Sequence, residues 1–575
     1  MIGMRWEYSE LTNDLVKKRM GEWGFSESLT RLLLNRGVDT KEKIEEFIEP
    51  HVQKFRDPFE FERMDEVVEK ICSLRDRGEK LYIYGDYDVD GITAAAFLVH
   101  VFKEIGIDVD YYIPNRMEEG YGLDEKAINY IHKRGGKLII TVDTGVNSVE
   151  EVEYAKNLGI DVVITDHHKI VKEEGDEKLL IINPKLSDRY TFKYLAGAGV
   201  ALKVAQAVYM ELDIPLEKLY EYIDIVMIGT VADVVPMTDE NRIIIKKGLE
   251  VIKNTRVKGL TYLLKYLKLQ NKDINTTDVS FFISPLLNSL GRIGVSKVGA
   301  DFFIGEDDFE IYNIIEEMKK SNKKRRELER SIFSEIDGEI QRRKDKEFKY
   351  LFLRSDRWHP GVIGVVSSRL AMKYNVPVVL IALRDGVGKA SCRSIEGINI
   401  FNILKDMGDK LLRFGGHDLA SGFIAKIDML DEIEEKLKHS INKTGRKKEE
   451  KVLRIDGKFS IEDIDEVLLR DLDNISPYGL GNEHPLFIDE ALSFENLKKF
   501  GVENRHFKTF IRKGGKRYSA VAFDLAHKID EFGYALQKFD VVYHPEKVYY
   551  RGEEILQIRI KDFKVKDDFY NIFTK

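Results

Sequence analysis

Short apolar segments between residues 80 and 235 alternate with helical ones, and this alternation constrains the fold more than any other feature of the chain. The predicted strands are Leu81–Tyr84, Val109–Ile113, Leu138–Val142, Val162–Thr165 and Leu179–Ile182. The predicted helices are Ile92–Phe102, Asp124–His132, Val149–Leu158, Ala201–Leu212 and Leu216–Ile228. The alternation predicts a parallel sheet with helices on both faces, in which ligands bind at the carboxyl ends of the strands.

Side chains that could bind a metal follow three of these strands and one later apolar segment. They are Asp86, Asp88 and Asp90 after the first strand, Asp143 after the third, Asp166, His167 and His168 after the fourth, and Asp233 after Ile228–Ala232. Neighbouring parallel strands bring such ends together, and crowded carboxylates repel one another unless cations neutralise them. Aspartates mixed with neutral imidazoles suit Mn²⁺, with Mg²⁺ at the all-oxygen positions. Two ions about 3.5–4 Å apart could promote an in-line phosphoryl displacement.

Each of these clusters also has a purely structural interpretation. Residues 86–91 match the start of a calcium loop, but Phe97 stands at the twelfth position, where that loop requires a glutamate. Asp143 alone could be a turn residue, and Asp233 alone could cap a helix. The histidine pair alone could belong to a loop. Four such clusters at the ends of apolar segments are hard to attribute to turns, so we expect a functional site.

Composition limits the class of protein. The 575 residues predict about three or four domains. With only Cys72 and Cys392, a secreted disulfide framework is not expected, and a reducing cytoplasm fits. The N-terminus lacks an apolar signal core, so we expect no targeting segment. Apolar runs such as Val376–Leu383 are far shorter than the roughly 20 residues of a membrane span, so we expect no membrane span. The net charge of −8 does not exclude a nucleic-acid enzyme, because local fields outweigh the total.

The second half of the chain has three parts. A charged helix is predicted from about Glu310 to Lys346, either as a solvated connection between domains or as a basic wall beside a nucleic acid. A second α/β unit follows, with strands Tyr350–Leu353 and Val378–Ile381 around the helix Gly361–Lys373. After a charged linker, residues 442–451, short strands and turns such as Lys513-Gly514-Gly515-Lys516 predict a small β-barrel.

The sequence resembles the DHH phosphoesterase family, whose signature is Asp166-His167-His168 and whose motif order the other three clusters follow. Further stretches resemble the RecJ-like exonucleases within that family. They are residues 358–364, 368–370, 390–395, 414–417 and 477–482. The resemblance implies a multidomain α/β fold: a parallel-sheet DHH domain (1–305), a connecting helix (306–348), a smaller α/β DHHA1 domain (349–441) and a C-terminal OB-fold β-barrel (450–575).

The resemblance also implies roles for individual residues. Two ions, Mn²⁺ or Mg²⁺, would be held by Asp86, Asp88, Asp90, Asp143, His167 and Asp233. Asp90, Asp143 and His168 would act in catalysis, with His168 contacting the scissile phosphate or the second ion. Residues that would contact DNA next to the metals are Arg292, Arg369, Arg393, Ser394, Gly415, Gly416 and His417. The two glycines let the main chain approach closely because they have no Cβ, although composition alone favours a plain turn.

One position departs from the pattern of the RecJ-like proteins. They usually carry arginine after the proline in the segment that here begins Pro285-Leu286. This chain has Leu286, so an expected phosphate contact is missing or is supplied by Arg292.

The activity implied by the resemblance is 5′-to-3′ exonuclease cleavage of single-stranded DNA, releasing 5′-mononucleotides by two-metal hydrolysis, in repair and recombination. It implies a cytoplasmic monomer that works with a single-strand-binding protein and a helicase, with no membrane contact. The barrel would bind bases and backbone, with candidates at Arg505, His506, Phe507, Phe510, Arg512 and Tyr518; for the two phenylalanines we favour core packing.

Two other functions remain open at this point. A phosphoesterase of the same family could act on short RNA, nucleotide phosphates or cyclic dinucleotides, but the roughly 125 residues after the linker favour a polymer. A non-catalytic replication scaffold would be expected to have lost its ligands, whereas the acidic and histidine clusters are retained.

Overall fold

The structure, a computed structural model, describes residues 4–115, 122–169, 179–293, 297–342, 348–443, 452–534, 537–550 and 553–566. Residues 1–51 together with 448–575 form one compact unit, and residues 52–447 form another. The first 51 residues contain the strand β1 (Arg5–Tyr8) and the helices α1 (Asn13–Trp23), α2 (Glu27–Asn35) and α3 (Lys41–Ile48).

A parallel sheet organises the first part of the larger unit, as the alternation predicts. Its strands are β2 (Lys80–Gly85), β3 (Val109–Tyr112), β4 (Gly136–Val142), β5 (Asp161–Thr165) and β6 (Ile181–Ile182), in the order β3-β2-β4-β5-β6. The helices around it are α4 (Met64–Asp76), α5 (Val89–Glu104), α6 (Glu125–Lys133) and α7 (Val149–Asn157). All four strand pairings are parallel, so every strand ends at the same edge of the sheet.

Side chains on alternate positions of β2 enter two different cores. Leu81 and Ile83 pack in the large core with α4 and α5, whereas Tyr82 and Tyr84 pack in a smaller core with residues of α6 and α7. This period of two is the strand geometry, and burial on both sides explains why the strands are almost continuously apolar. The predicted coverage of both faces is confirmed.

A helical layer follows the sheet. Its helices are α8 (Gly197–Glu211), α9 (Glu217–Tyr220), α10 (Ile223–Ala232), α11 (Asp239–Val251), α12 (Lys258–Leu267), α13 (Thr276–Asp278), α14 (Ser284–Ile293) and α15 (Lys297–Ile304). The helices α5, α8 and α10 pack on one another and are buried over most of their length. Leu286 lies in this core with 6% of its surface exposed. A leucine there stabilises packing. Because this position is buried, having leucine in place of the family's usual arginine does not remove a side chain from a groove open to solvent.

The long helix α16 (Asp308–Arg342) leads to the second α/β unit. On this predicted charged helix, Lys320, Lys323, Lys324 and Arg326 are exposed. Lys319 pairs with Glu316, and Arg325 pairs with the buried Glu329. Exposed cations of this kind fit both roles predicted for the helix, a solvated connection and a basic wall. The predicted end at Lys346 and most of the predicted linker fall outside the described residues.

The second α/β unit has a mixed sheet in the order β10-β11-β9-β8-β7. Its elements are β7 (Leu351–Ser355), α17 (Ile363–Tyr374), β8 (Val378–Arg384), β9 (Val387–Arg393), α18 (Ile400–Lys405), β10 (Arg413–His417), β11 (Ala420–Lys426) and α19 (Leu430–Lys443). Only β7 and β8 are parallel; the other pairs are antiparallel. Short hairpin connections join antiparallel strands of this sheet. One of them is Asp385-Gly386, with both residues at positive φ.

The C-terminal residues form a closed barrel with a helix inserted before its last two strands. The elements are β12 (Val452–Ile455), β13 (Gly457–Lys458), α20 (Glu466–Ile475), β14 (Phe487–Phe500), β15 (His506–Lys513), β16 (Lys516–Ala522), α21 (Ala526–Phe532), β17 (Phe539–Tyr550) and β18 (Glu553–Val565). The sheet runs β14-β15-β16-β18-β17, and β17 pairs back with β14. The predicted OB-type barrel is confirmed. No helix among the described residues is long and apolar enough to cross a membrane.

The N-terminal segment packs with this barrel, whereas the sequence grouped it with the DHH domain. The strand β1 pairs in parallel with β12. Asn35 Nδ2 donates to an Asp456 carboxylate oxygen at 3.0 Å, and Arg36 Nε donates to Asn482 Oδ1 at 2.7 Å. These contacts join residues more than 400 positions apart, so local sequence patterns carry no signal for them.

Candidate active site and metal centre

The turn between β2 and α5 places three aspartates at the carboxyl edge of the sheet. Asp88 caps α5, because its Oδ1 accepts hydrogen bonds from the backbone N–H groups of Asp90 (2.9 Å) and Gly91 (3.2 Å). A Cβ at Gly91 would lie 2.5 Å from the backbone nitrogen of Asp86, so only glycine fits there. The helix starts inside the would-be calcium loop and buries Phe97, which rules out that loop geometry.

The start of α8 holds Asp90. The Asp90 carboxylate accepts hydrogen bonds from the backbone N–H groups of Gly197 (2.6 Å) and Ala198 (3.0 Å), the first residues of that helix. The exposed donors and the positive end of the helix dipole stabilise the negative charge there. Asp143 lies beside the same helix start, since a Cβ at Gly197 would come within 2.5 Å of Asp143 Cβ.

Asp143 occupies a left-handed backbone conformation directly after β4, with φ +60°. Its N–H donates to the carbonyl of Thr165 at 3.1 Å, which continues the β4–β5 pairing by one step. The strained turn is tolerated by aspartate better than by most residues. This backbone conformation turns the buried Asp143 carboxylate towards His167, which follows β5.

Asp166 is a buried support for the two histidines that follow it. Its Oδ1 accepts hydrogen bonds from the N–H groups of His167 (2.7 Å) and His168 (3.0 Å), and lies 2.8 Å from His168 Nδ1. Its Oδ2 accepts from the N–H of Val146 at 3.1 Å. With its oxygens committed in this way, Asp166 orients the histidines.

The imidazole of His167 faces three carboxylates. Its Nε2 lies 3.1 Å from Asp143 Oδ1, 3.6 Å from Asp233 Oδ2 and 4.0 Å from Asp90 Oδ2. The side chain is 4% exposed, and Nε2 makes no hydrogen bond within the described part of the chain. A buried nitrogen without a hydrogen bond, aimed at carboxylates, has the geometry of a metal ligand.

We call the residues around this point the acidic cluster: Asp86, Asp88, Asp90, Asp143, His167 and Asp233. Asp233 enters from the last turn of α10, at the C-terminal cap. Three overlapping groups have ligand atoms within 4.8 Å of one another: Asp90 with His167 and Asp233, Asp86 with Asp88 and Asp143, and Asp143 with His167 and His168. The side chains are close enough to hold metal ions.

Crowding changes how these groups bind protons. Burial, and then the neighbouring carboxylate of Asp88, raises the pKa of Asp90 to about 7. Burial and then Asp90 raise the pKa values of Asp143 and Asp233 well above the ordinary range. The clustered negative charge is therefore costly without a cation.

The pKa values of His167 and His168 shift in opposite directions. Burial, and then the neighbouring His168, lowers the pKa of His167, so that imidazole is neutral and able to be a ligand. Burial would lower the pKa of His168 as well, but the charge and the hydrogen bond of Asp166 raise it to about 9. Burial opposes ionisation of Asp166, yet the same pair holds the pKa of Asp166 at about 2.

The second α/β unit contacts His168, beside the acidic cluster, through His417. The ring of His417 stacks on His168, with centroids 5.3 Å apart and an angle of 15° between the planes. Next to it, Lys169 forms an ion pair with Asp418 at 3.0 Å. Burial, followed by the charge of His168, lowers the pKa of His417 to about 4.

Several predicted DNA-contact residues lie at the same end of that sheet. Cross-strand pairing places Arg393 opposite Ala420, and Ala420 opposite His417. Ser394 Oγ donates to the carbonyl of Ile398, which fixes the turn after β9. Gly416 has φ +127° and its Cβ would meet the backbone of Ala420, so its conformation requires glycine. Space around the Cβ position of Gly415 is open.

Two of the predicted arginines make contacts within the protein. Arg369 packs its guanidinium over the ring of Phe333 in α16, 4.2 Å from the centroid. Arg292 Nη1 donates to the carbonyl of Gly361 at 3.4 Å, which joins α14 to the start of the second α/β unit. The structure thus brings His417 against His168, beside the acidic cluster, and places Arg393 at the same end of its sheet, whereas the described contact of Arg369 is with the connecting helix.

Asn183 and Lys185 were missed by the sequence analysis although they lie at the site. Asn183 Nδ2 donates to the carbonyl of His168 at 3.0 Å, and the Lys185 ammonium donates to the carbonyl of His167. Asn183 Oδ1 accepts the backbone N–H of Lys185 at 2.9 Å. Both residues directly follow β6, so the rule that identified the other clusters applies to them as well.

Models of three families match consecutive parts of the chain. The DHH family N-terminal domain matches residues 80–230, the DHHA1 domain matches residues 346–443, and the RecJ OB domain matches residues 455–562.

Relatives extend the match over nearly the whole chain. The single-stranded-DNA-specific exonuclease RecJ of Bacillus subtilis is 34% identical over 524 residues, which cover 91% of this chain and 66% of the relative. The protein of the same name from Escherichia coli is 29% identical over 559 residues, covering 92% of this chain and 95% of the relative. The chain therefore spans about two thirds of the first relative and nearly all of the second.

Solved structures agree in fold. RecJ of Thermus thermophilus in complex with Mn²⁺ superposes with a TM-score of 0.82 at 24% identity, covering 98% of this chain and 79% of that one. A manganese-bound exonuclease RecJ is 30% identical with a TM-score of 0.57, covering 66% of this chain and 95% of that one. With the DHH, DHHA1 and OB domains in the same order and this degree of identity, the chain belongs to the RecJ family of DHH-domain proteins.

Proposed function

We propose that the chain is a single-stranded-DNA-specific exonuclease that removes 5′-mononucleotides in the 5′-to-3′ direction, in DNA repair and recombination. The observation that carries the proposal is His167 Nε2, buried among the carboxylates of Asp90, Asp143 and Asp233 without a hydrogen bond to the described residues. The names of the related RecJ proteins support the substrate. The direction rests on family membership alone.

The acidic cluster fits divalent cations. Its donors are carboxylate oxygens and one neutral imidazole, the set that Mn²⁺ accepts and that Mg²⁺ accepts where oxygen dominates. Asp90, Asp143, His167 and Asp233 would hold one ion, and Asp86, Asp88 and Asp143 a second, with Asp143 shared between them. When bound, two such ions supply an activated water and neutralise charge on the phosphate in an in-line displacement. The pKa values raised by mutual repulsion fit cation sites of this kind.

The chain's own residues would position the strand. Because Asp166 engages Nδ1 of His168, Nε2 is the ring nitrogen that would contact the scissile phosphate. The raised pKa of His168 keeps that ring protonated at neutral pH, so it can donate a hydrogen bond to a phosphate oxygen or a proton to the leaving oxygen. Asn183 and Lys185 would hold the histidine backbone in place.

The second wall would come from the DHHA1 domain. His417, Arg393 and Ser394 would hold the DNA backbone, with Gly415 and Gly416 allowing close approach of the main chain. Arg292 and Arg369 would add positive charge at the domain junction. A cleft bounded by both domains would admit a single strand and exclude a duplex.

Partners and location follow the same reasoning. We place the protein in the cytoplasm as a monomer, acting with a single-strand-binding protein and a helicase. Family membership supports these assignments, and reduced thiols in the chain agree with them.

The test uses one single-stranded oligonucleotide labelled separately at each end, incubated with Mn²⁺, with Mg²⁺ and with chelator. We expect metal-dependent release of mononucleotide from the 5′ label while the 3′-labelled strand shortens gradually. Early loss of the 3′ label would reverse the direction. Cleavage of nucleotide phosphates but not of the strand would replace the proposal with a small-substrate phosphoesterase.

A further inference from the structure

The helical layer beside the acidic cluster contains a second group of buried polar side chains. Glu240 and Asn241 lie in the first turn of α11, and both are 0% exposed. Glu240 Oε1 lies 2.6 Å from the ammonium of Lys203 on α8, which is also buried. Burying a charge or an amide is costly unless its partners are in place. These residues therefore constrain how α11 packs on its neighbours.

Glu240 anchors the start of α11 to other segments besides α8. Its carboxylate accepts the hydroxyl of Tyr190, and it accepts the backbone N–H of Arg56 at 2.9 Å. Lys203 Nζ donates in turn to the carbonyl of Arg56 at 2.6 Å. The network holds α11 against α8 and against the stretch of chain that leads into α8.

The amide of Asn241 joins two stretches of backbone. Its Nδ2 donates to the carbonyl of Tyr194 at 2.6 Å and to the carbonyl of Pro236 at 3.0 Å. An amide nitrogen has two N–H donors, so both are used, and they fix the direction in which the side chain points. The stretch 190–196 and the loop 234–238 are thereby tied to one side chain.

Each of these stretches adjoins one carboxylate of the acidic cluster. Tyr194 lies three residues before Gly197, whose N–H donates to the Asp90 carboxylate at 2.6 Å. Pro236 lies three residues after Asp233, which caps the end of α10. Asp90 and Asp233 belong to one group whose ligand atoms lie within 4.8 Å of one another. A single amide thus connects the backbones on which the two carboxylates depend.

The loop after Asp233 needs a constraint of this kind. Val234 has φ +59°, a left-handed conformation that is unfavourable for a β-branched residue. Its side chain is 63% exposed, so packing in the core does not hold it there. A strained conformation persists only where surrounding contacts enforce it. The hydrogen bond from Asn241 to the carbonyl of Pro236 is such a contact.

We propose that Asn241 is a positioning residue of the metal centre: its amide fixes the separation of Asp90 and Asp233 and thereby sets the affinity of the acidic cluster for its cation. The inference rests on the metal centre of the proposed function, and it adds to that centre a buried residue that is not itself a ligand. Residues that support metal ligands from behind change metal affinity about 10–100-fold when they are replaced.

The test measures Mn²⁺ binding to the full chain without DNA, from the electron paramagnetic resonance signal of the free ion. We expect Asn241→Leu to raise the Kd for Mn²⁺ about tenfold, because both carbonyls lose their donor. Ile245→Ala is the matched control, since Ile245 lies one turn later in α11, is 0% exposed and packs in the same core. It should lower the melting temperature in chelator but leave the Kd within about twofold of the unmodified value.

Asn241→Asp separates geometry from packing and charge. Aspartate has nearly the volume of asparagine, so no cavity is created, but an ionised carboxylate has no N–H to donate. Its negative charge would by itself attract a cation. We expect Mn²⁺ to bind this variant more weakly than the unmodified chain, because the two hydrogen bonds are lost. Unchanged or tighter binding would overturn the inference.

The remaining outcomes distinguish this inference from the proposed function. Mn²⁺ binding by Asn241→Leu with the unmodified affinity would overturn the inference alone, as would equal losses in Asn241→Leu and Ile245→Ala. Failure of the unmodified chain to bind Mn²⁺ would contradict the metal centre of the proposed function. Mn²⁺ binding by the unmodified chain without cleavage of a single strand would contradict the exonuclease activity and leave the role of Asn241 in place.

Discussion

The acidic cluster and a histidine stack in the barrel, His484 on His544, bury imidazoles on different architectures. The acidic cluster collects side chains from four segments of the chain, between Asp86 and Asp233, at the carboxyl edge of a parallel sheet. The histidine stack joins β17 to the segment before β14. In both places a buried imidazole nitrogen lacks a hydrogen bond within the described residues: Nε2 of His167 in one, and both ring nitrogens of His544 in the other. Carboxylates surround His167, so a cation is expected there, whereas burial and then His544 and Lys561 lower the pKa of His484 to about 3 in the barrel.

The largest expected effect comes from the acidic cluster. Asp143→Ala should lower the rate of strand cleavage about a thousandfold or more, because a ligand shared by two ions is lost. Binding of the oligonucleotide in chelator should be kept, since the substitution removes a negative charge. The rate is measured by mononucleotide release with Mn²⁺.

The control for this prediction is Asp161→Ala. Asp161 lies at the opposite end of β5 and is paired with Lys70 on the surface. Normal cleavage by Asp143→Ala, or equal losses in both variants, would remove the basis for the metal-site assignment.

Topology explains why the acidic cluster could be predicted from sequence. Parallel strands end at one edge, so Asp88, Asp143 and His167 are close together whatever the details of packing. Lys185 follows the same rule but was missed, because β6 is only two residues long and its following lysine resembles an ordinary surface residue.

Other features of the molecule could not be predicted, because they depend on contacts between segments that are far apart in the sequence. The pairing of β1 with β12 and the stack of His484 on His544 join distant segments. The contact of Arg369 with Phe333 likewise became visible only with α16 in place. The resemblance supplied the domain order, whereas hydrophobic periodicity supplied the strands of the DHH domain.

Lys185→Met tests whether support behind the acidic cluster matters. We expect an increase of about tenfold in the Mn²⁺ concentration needed for half-maximal cleavage, because the carbonyl of His167 loses its partner. Lys185→Arg should recover most of the affinity. A change in maximal rate at saturating Mn²⁺ without any change in Mn²⁺ affinity would argue against a positioning role.

The pH dependence of stability provides a third comparison. A carboxyl group whose pKa is raised by folding stabilises the protein below its unfolded pKa, 3.8, and that contribution is lost as the pH rises through the folded pKa. For Asp90 this window ends at about 7. Asp143→Asn should therefore stabilise the chelator-treated protein, with a gain that grows between pH 3.8 and a pH above about 7, where the neighbouring Asp90 ionises.

The expected gain in the melting temperature is about 2 °C at the higher pH. Thermal unfolding in chelator measures it, with Asp161→Asn as the exposed control. Saturating Mn²⁺ should reverse the sign, because only the unmodified site gains the full binding energy of the ions. A stability difference that is independent of pH would mean that Asp143 is not repelled by its neighbours.

The smallest effect is expected at the ion pair of Lys169 and Asp418. Both side chains are about half exposed, and exposed pairs contribute about 0–1 kcal/mol. Lys169→Ala should change the cleavage rate less than about fivefold, with the loss smaller in high salt. A loss comparable to that of Asp143→Ala would show that Lys169 contacts the substrate.

The central claim is that the acidic cluster holds two divalent cations, and anomalous scattering from crystals soaked in Mn²⁺ tests it most directly. We predict two manganese peaks, one bounded by Asp90, His167 and Asp233 and one by Asp86 and Asp88, with Asp143 between them. Crystals of Asp143→Ala should lose at least one peak. The absence of manganese from this cluster in the unmodified protein, at a concentration that supports cleavage, would contradict the account.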